Sequence, residues 1–181
     1  LLQLVEDVIQ ISQLDEEKTS YTWEPVDVYQ VCKSAFDSLK EKAYKMNVHL
    51  YICGDGMKME AVRTLLEEAV YNICDNAIKY NRNDGNVSIF LTQTAQEAQI
   101  VVKDTGIGIR PEDLPRVFEK GFTGYNGRMD KKASGLGLYL CKGVCEKLGH
   151  GISVASKEGE GTTVMITLQC EKVQQGDLVN M

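Results

Sequence analysis

Apolar positions along the chain switch between a period near 3.6 and a period of two, and the switches mark its elements. Leu1, Leu4, Val8 and Ile11 form a heptad-like stripe over residues 1 to about 14, with few helix breakers. Residues 15 to 25 are polar, with one short strand expected at Ser20 to Trp23. Asp27 is placed to cap a helix, with Gln30 completing a capping box, and Val28, Val31, Ala35, Leu39 and Ala43 give that helix its core face. Asn47 to Cys53 predicts a strand and Gly54-Asp55-Gly56 a turn. A second long helix is expected from about Met59 to Tyr80, with Val62, Leu66, Ala69, Ile73 and Ala77 inward. After the turn Asn83-Asp84-Gly85, Val87, Ile89 and Leu91 alternate with polar neighbours, so Asn86 to Thr94 is a strand and Gln96 to Asp104 its hairpin partner. A helical turn is expected near Glu112 to Phe118. Residues 119 to 134, with Gly121, Gly124 and Gly127, carry no core pattern and read as mobile. Gly135 to Leu148 returns to helix, with Leu136, Leu140, Val144 and Leu148 on one face. Two strands, Gly151 to Ser156 and Thr162 to Gln169, close the pattern, and a loose tail follows.

This order predicts a two-layer α/β (α+β) sandwich, a mixed five-stranded sheet with three helices on one face. The 181 residues suffice for one domain with a real core. A net charge of -6 argues against broad nucleic-acid binding, which calls for a basic face, but leaves room for a local phosphate cradle. No run of residues is apolar enough to cross a membrane, and none reads as a signal peptide. The chain opens at Leu1 inside a helical pattern, so it reads as a piece of a longer protein. Cys32, Cys53, Cys74, Cys141, Cys145 and Cys170 are scattered without a CxxC pair, and they read as reduced, mostly buried thiols.

Four segments carry candidate chemistry. On the second long helix, Asn72, Asn76 and Lys79 fall at i, i+4 and i+7 and share one face. Two carboxamides and an ammonium suit a hydrated divalent cation already balanced by phosphates. Asp104-Thr105-Gly106-Ile107-Gly108-Ile109 follows a strand directly; its glycines would let a flat ring approach, and the carboxylate can accept from an exocyclic amine, favouring adenine over guanine. Ser134-Gly135-Leu136-Gly137-Leu138 opens a helix whose free N–H groups would hold a polyphosphate, with Ser134 as a natural N-cap. Upstream, Lys120, Arg128, Lys131 and Lys132 make the glycine-rich stretch a basic lid. Gly159-Glu160-Gly161-Thr162-Thr163 turns into the last strand, where a threonine hydroxyl reaches the adenine edge or a bridging water. Each segment alone has a plainer reading, as a solvated helix face, a glycine turn, a softened helix start or a strand start. Their occurrence together, in this order and on these elements, favours a nucleotide site.

Over residues 20 to 170 the chain resembles the Bergerat (GHKL) ATPase superfamily, and within it the sensor histidine kinases. Asn72 to Tyr80 is similar to the N box, Asp104 to Gly108 to the G1 box, Phe118 to Phe122 to the F box, Gly135 to Leu138 to the G2 box, and Gly161-Thr162 to the last glycine motif. Val117 to Gly127 and Gly135 to Lys142 also resemble kinases that respond to cell-envelope peptide antibiotics in Gram-positive bacteria. The resemblance implies a Bergerat fold with ATP and Mg2+ as cofactors. It implies magnesium on Asn76 with Asn72 assisting, and Lys79 and Tyr80 near the phosphates and the ribose or base. It gives Asp104 the adenine amine with Thr162 in support, and brackets the phosphates with Gly135 and Gly137. Related gyrase-type ATPases carry a water-activating glutamate where this chain has Asn72, and Glu68 lies a turn too early, so ATP is expected to await another nucleophile.

The resemblance divides the chain into the end of a dimerisation helix plus linker at 1–18, the ATP-binding domain at 19–171 and a flexible tail at 172–181. It implies a histidine acceptor upstream, a response regulator receiver domain as partner, a homodimer in the full-length protein, and a place on the cytoplasmic side of the membrane through segments outside this chain. Neither His49 nor His150 has an acceptor's sequence context. Two rival readings are a serine kinase of the anti-sigma-factor type and a non-catalytic Bergerat domain used for partner binding.

Overall fold

The computed structural model describes residues 20–129 and 133–169. Strand β1 (Glu24–Asp27) leads into helix α1 (Val28–Lys45). The Asp27 carboxylate accepts from the amides of Tyr29 at 3.0 Å and Gln30 at 3.4 Å, so it is the expected N-cap. Strand β2 (Val48–Cys53) follows, then β3 (Lys58–Ala61) and helix α2 (Arg63–Lys79).

Here two expectations need correction. The helix does not begin at Met59. Met59 and Ala61 are buried while Lys58 is exposed, a period of two, and β3 pairs antiparallel with β1 through Val26 and Met59. The first strand correspondingly lies at Glu24–Asp27 and not at Ser20 to Trp23. A four-residue apolar run fits either period, and only a pairing partner more than 30 residues away decides between them.

The main sheet contains β2, β4 (Gly85–Gln93), β5 (Glu97–Asp104), β7 (Gly161–Gln169) and β6 (Gly151–Lys157), in the order β2-β4-β5-β7-β6. β2 and β4 are parallel and the other pairs antiparallel, so the sheet is mixed. The parallel pair forces a crossover, and α2 supplies it. Val87, Ile89 and Leu91, with Ile100, Ile166 and Leu168 from the neighbouring strands, bury one sheet face under α1, α2 and α4 (Gly137–Lys147). Each such side chain contributes roughly 1.5–3 kcal/mol of burial, which fixes the sheet register on that face.

Helix α4 starts two residues later than the spacing predicts. Gly135 has φ +68, a left-handed conformation that no α-helix can contain, so Leu136 becomes the N-cap residue. Ser134 is therefore not the N-cap; its Oγ accepts from the Leu136 amide at 3.3 Å, just outside the helix. Within the glycine-rich stretch a short helix, α3 (Gly124–Met129), had no pattern to announce it. Among the described residues the cysteines are free thiols, with Cys53 exposed and the other four buried. Burial pushes the thiols of Cys32 and Cys145 up to about 12, which keeps them unreactive. Among the described residues no helix is long and apolar enough to cross a membrane. The expected helix end plus linker at 1–18, the tail at 172–181 and Cys170 lie outside the described residues.

Candidate functional site

The end of β5, the C-terminal half of α2, the start of α4 and the start of β7 open on one cavity of about 650 Å³. Twelve of the fifteen site residues read from the sequence line it. Asn72, Asn76 and Lys79 do so from one face of α2, and Tyr80, its C-cap residue, stands next to them. The Lys79 ammonium lies 5.1 Å from the centre of the Tyr80 ring. A Cβ built on Gly137 would lie 3.7 Å from the Asn76 amide nitrogen, so the first turn of α4 lies directly against Asn76 at the cavity. Ser134, Gly135 and Leu138 line the same side. Two residues to which the motifs gave no role join this end: Lys42 of α1 and Asp75 of α2, which form an ion pair and both line the cavity. Glu68 does not line it.

The opposite end is built around Asp104, which is 9% exposed. Its Oδ1 accepts from the Gly106 amide at 2.8 Å and from the Thr162 amide at 3.1 Å. Both bonds fall on one oxygen, so Oδ2 is the acceptor left for the cavity that Asp104 lines. Burial pushes the carboxyl up to about 6, and the two amide bonds only partly offset this. Gly108, Ile109 and Thr162 line this end as well.

The glycines of this loop meet a constraint that the sequence does not show. A Cβ on Gly106 would collide with the Tyr80 carbonyl oxygen and lie 2.8 Å from Asp104 Oδ1. A Cβ on Gly108 would collide with the Lys157 carbonyl. Both positions require glycine because three backbone segments meet there. The meeting is stitched by Ile107 N–H to the Tyr80 carbonyl at 3.0 Å and by Gly159 N–H to the Ile107 carbonyl at 2.8 Å. Arg82 adds a staple: its guanidinium donates to the carbonyls of Gly106 and Gly159. Nothing in the sequence marks Arg82 for this role, because its partners are 24 and 77 residues away.

Gly106, Lys120 and Leu136 are the three expected residues outside the lining. Leu136 is buried against Leu140 and Tyr139, and the Lys120 ammonium lies 5.8 Å from the centre of the Tyr139 ring. The segment over the cavity is anchored instead by residues the motifs passed over. Asp113 accepts from the Tyr125 amide at 2.8 Å, at the start of α3. The Arg110 guanidinium sits 3.4 Å from the centre of the Tyr125 ring and pairs with Glu158 at 3.5 Å. Asp113 and Tyr125 both line the cavity.

Neither histidine does. His49 bonds Asp84 at 2.8 Å on an outer strand of the sheet. His150 packs edge-on against Trp23, its ring nitrogens are buried without a partner, and burial pulls it down to about 4.

Residues 61–172, more than half of the chain, match the family model described as "Histidine kinase-, DNA gyrase B-, and HSP90-like ATPase". The sensor histidine kinase YxdK of Bacillus subtilis is 29% identical over 165 residues, covering 88% of this chain and 50% of that protein. The sensor protein kinase GraS of Staphylococcus aureus is 41% identical over 108 residues, covering 59% of this chain and 31% of that one. This chain thus spans half or less of the length of these relatives. Among solved structures, the mycobacterial sensor histidine kinase MprB superposes with a TM-score of 0.73 at 28% identity, over 82% of this chain and 99% of that one. The fold, the cavity and these relatives agree: the chain belongs to the histidine kinase-, DNA gyrase B- and HSP90-like ATPases and is an ATP-binding catalytic domain of the sensor histidine kinase type.

Proposed function

We propose that residues 19–171 hold Mg-ATP in this cavity and pass its γ-phosphoryl to a histidine outside the domain, and from there to a response regulator receiver domain. The observation that carries the reading is the convergence of Asp104, the Asn72/Asn76 pair and the α4 start on one cavity. Asp104 would take the adenine amine, supported by Thr162. The first turn of α4 and Lys79 would face the phosphates.

The donor set fits magnesium in one form only. Among the described residues no three His, Cys, Asp or Glu side chains are grouped to hold a metal by themselves. Amide oxygens of Asn76 and Asn72 suit an ion that arrives with its charge balanced by phosphates and keeps several waters. Bound there, the ion would neutralise charge on the transferring phosphoryl group. The residues of this chain contribute positioning and electrostatics. The absence of Glu68 from the lining, together with Asn72 one turn nearer, leaves no carboxylate at the position where related ATPases activate water.

An acceptor elsewhere is consistent with the placement of His49 and His150, both off the cavity. In the whole protein the acceptor would lie on a dimerisation bundle whose last helix ends within residues 1–18. Homodimerisation and a place at the cytoplasmic face of the membrane belong to the same proposal. Calorimetry with Mg-ATP tests the site, and phosphoryl transfer in trans to a supplied histidine-bearing bundle tests the reaction. Absence of heat with Mg-ATP at high micromolar protein would remove the nucleotide reading altogether.

The raised Asp104 carboxyl gives a pH prediction. Only the ionised form accepts the adenine amine. Below about pH 6 the empty pocket holds a proton that must leave before ATP binds. The Kd for ATP is expected to rise roughly tenfold between pH 7 and pH 5. Asp104→Asn should show only the dependence that the phosphates of ATP themselves contribute. Equal pH slopes in the two proteins would contradict the assignment.

A further inference from the structure

Ser156, at the end of β6, is absent from every motif and does not line the cavity. Its hydroxyl nevertheless joins three segments of the site. It receives the Ile109 amide at 2.9 Å, lies 2.8 Å from the Gly161 carbonyl and lies 2.8 Å from the Thr162 hydroxyl. A serine hydroxyl has one hydrogen and two lone pairs. The Ile109 N–H can only donate, so it occupies one lone pair. The Gly161 carbonyl can only accept, so it consumes the hydrogen. One lone pair then remains for the third partner. Thr162 must donate to Ser156, which spends the only hydrogen of the Thr162 hydroxyl.

Thr162 lines the cavity, and in this state its Oγ1 can offer the cavity lone pairs and nothing else. Beside it, Asp104 Oδ2 is also an acceptor. Four amides of these segments are committed as well: Gly106 and Thr162 to Asp104, Ile107 to Tyr80, and Ile109 to Ser156. The two side chains that meet the ligand at this end therefore present acceptors only.

We infer that Ser156 is a specificity-determining positioning residue: by consuming the Thr162 hydrogen it leaves both polar side chains at this end, Asp104 and Thr162, as acceptors only, which favours an exocyclic amine over an oxygen at the same ring position. The inference rests on the nucleotide reading above and deepens it. Asp104 alone would oppose an oxygen there, but a freely rotating threonine could turn its hydrogen to that oxygen and rescue it. Ser156 removes the rescue.

The test compares ATP with the triphosphate of 6-methoxypurine riboside, which keeps the ring nitrogens of adenine and replaces the amine by an oxygen acceptor. Kd values for the magnesium complexes are measured by competition against a fluorescent nucleotide. The wild-type chain is expected to prefer ATP by on the order of a hundredfold, the scale of losing matched hydrogen bonds at a polar site. Ser156→Ala should shrink that preference about tenfold, with much of the change appearing as tighter binding of the methoxy analogue. Ser156→Thr keeps the hydroxyl and should restore the preference. In a Thr162→Val background, Ser156→Ala should leave the ratio where it is. A purely structural role would weaken both nucleotides in parallel, and that outcome overturns the inference while leaving the ATP site standing. A wild-type chain that binds ATP without preferring it also overturns the inference. Failure to bind either nucleotide sinks the site itself. Should Ser156→Ala not fold, Thr162→Val alone decides, because removing the acceptor must lower the preference and an unchanged ratio is fatal.

Discussion

Asp104→Asn is expected to weaken ATP binding on the order of a hundredfold while making the nucleotide-free domain more stable. The two effects share one cause. An asparagine oxygen can still accept from the Gly106 and Thr162 amides, which hold Oδ1 at 2.8 and 3.1 Å. Its amide nitrogen then takes the place of Oδ2, so a donor faces the adenine amine. A charge-assisted bond is lost and two donors oppose each other, at a cost of about 3 kcal/mol, or on the order of a hundredfold in Kd. Stability moves the other way. Burial raises the folded carboxyl to about 6 from its ordinary 3.8. Between those values the folded protein holds a proton that the unfolded chain has released. The stabilisation is therefore complete below about pH 3.8 and drains away as pH rises through about 6. At pH 7 the desolvated carboxylate costs the fold on the order of 1–3 kcal/mol, and a neutral asparagine avoids most of that. Thermal melts at pH 7 should show the variant unfolding a few degrees higher, roughly 2–4 °C per kcal/mol for a chain of this size. Calorimetry on the same samples should show little heat with Mg-ATP. The measurement that separates this from general damage is a His150 substitution. His150 is off the cavity, so ATP binding that falls equally in both variants would refute the role given to Asp104.

The residues that could be read in advance are those whose chemistry and spacing are local. Asn72, Asn76 and Lys79 share a helix face by periodicity alone, and the cavity receives all three. Asp104 stands at a strand end, and its alternating neighbours Val102 and Ile100 fixed the strand. The central strands were legible for the same reason: one buried face imposes strict alternation. What stayed hidden depends on contacts distant in sequence. Met59 to Ala61 becomes a strand because Glu24 to Asp27 lies beside it. Arg82 acts on carbonyls, which every residue has, so its target leaves no trace in the sequence. Ser156 works through hydrogen-bond polarity, which appears only when all three of its partners are placed. The glycines have a second reason that spacing does not reveal. The spacing marks them correctly, but Gly106 and Gly108 answer to the backbones of Tyr80 and Lys157.

That last distinction separates two glycines two residues apart. Gly161 has φ +121, and a Cβ there would run into the Asp104 carbonyl oxygen while lying 2.9 Å from the carbonyl carbon and 3.1 Å from Thr105 Cα. These are backbone atoms at the end of the paired strand β5 and of the residue after it, so no rotamer change relieves the collision. β5 and β7 must part where Thr162 N–H holds Asp104, next to the Lys103–Thr163 pair that ends their ladder. Gly159 has φ +82, but nothing lies within 4 Å of a Cβ there. Its substitution carries only the cost of a left-handed backbone, about 1–2 kcal/mol. Gly161→Ala adds to a similar strain the displacement of a packed strand, for a total above about 3 kcal/mol, in the range of the most damaging single substitutions. The Gly161→Ala domain is expected to melt about 10 °C lower. It should also lose ATP affinity beyond the hundredfold expected of Asp104→Asn, because the carboxylate and the threonine hydroxyl move apart together. Gly159→Ala should melt only a few degrees lower and keep its ATP affinity within a factor of about two. Parallel melts and titrations of the two variants decide the matter. Equal damage from both would mean that backbone conformation alone, and not the approach of β7 to Asp104, makes this turn glycine-rich.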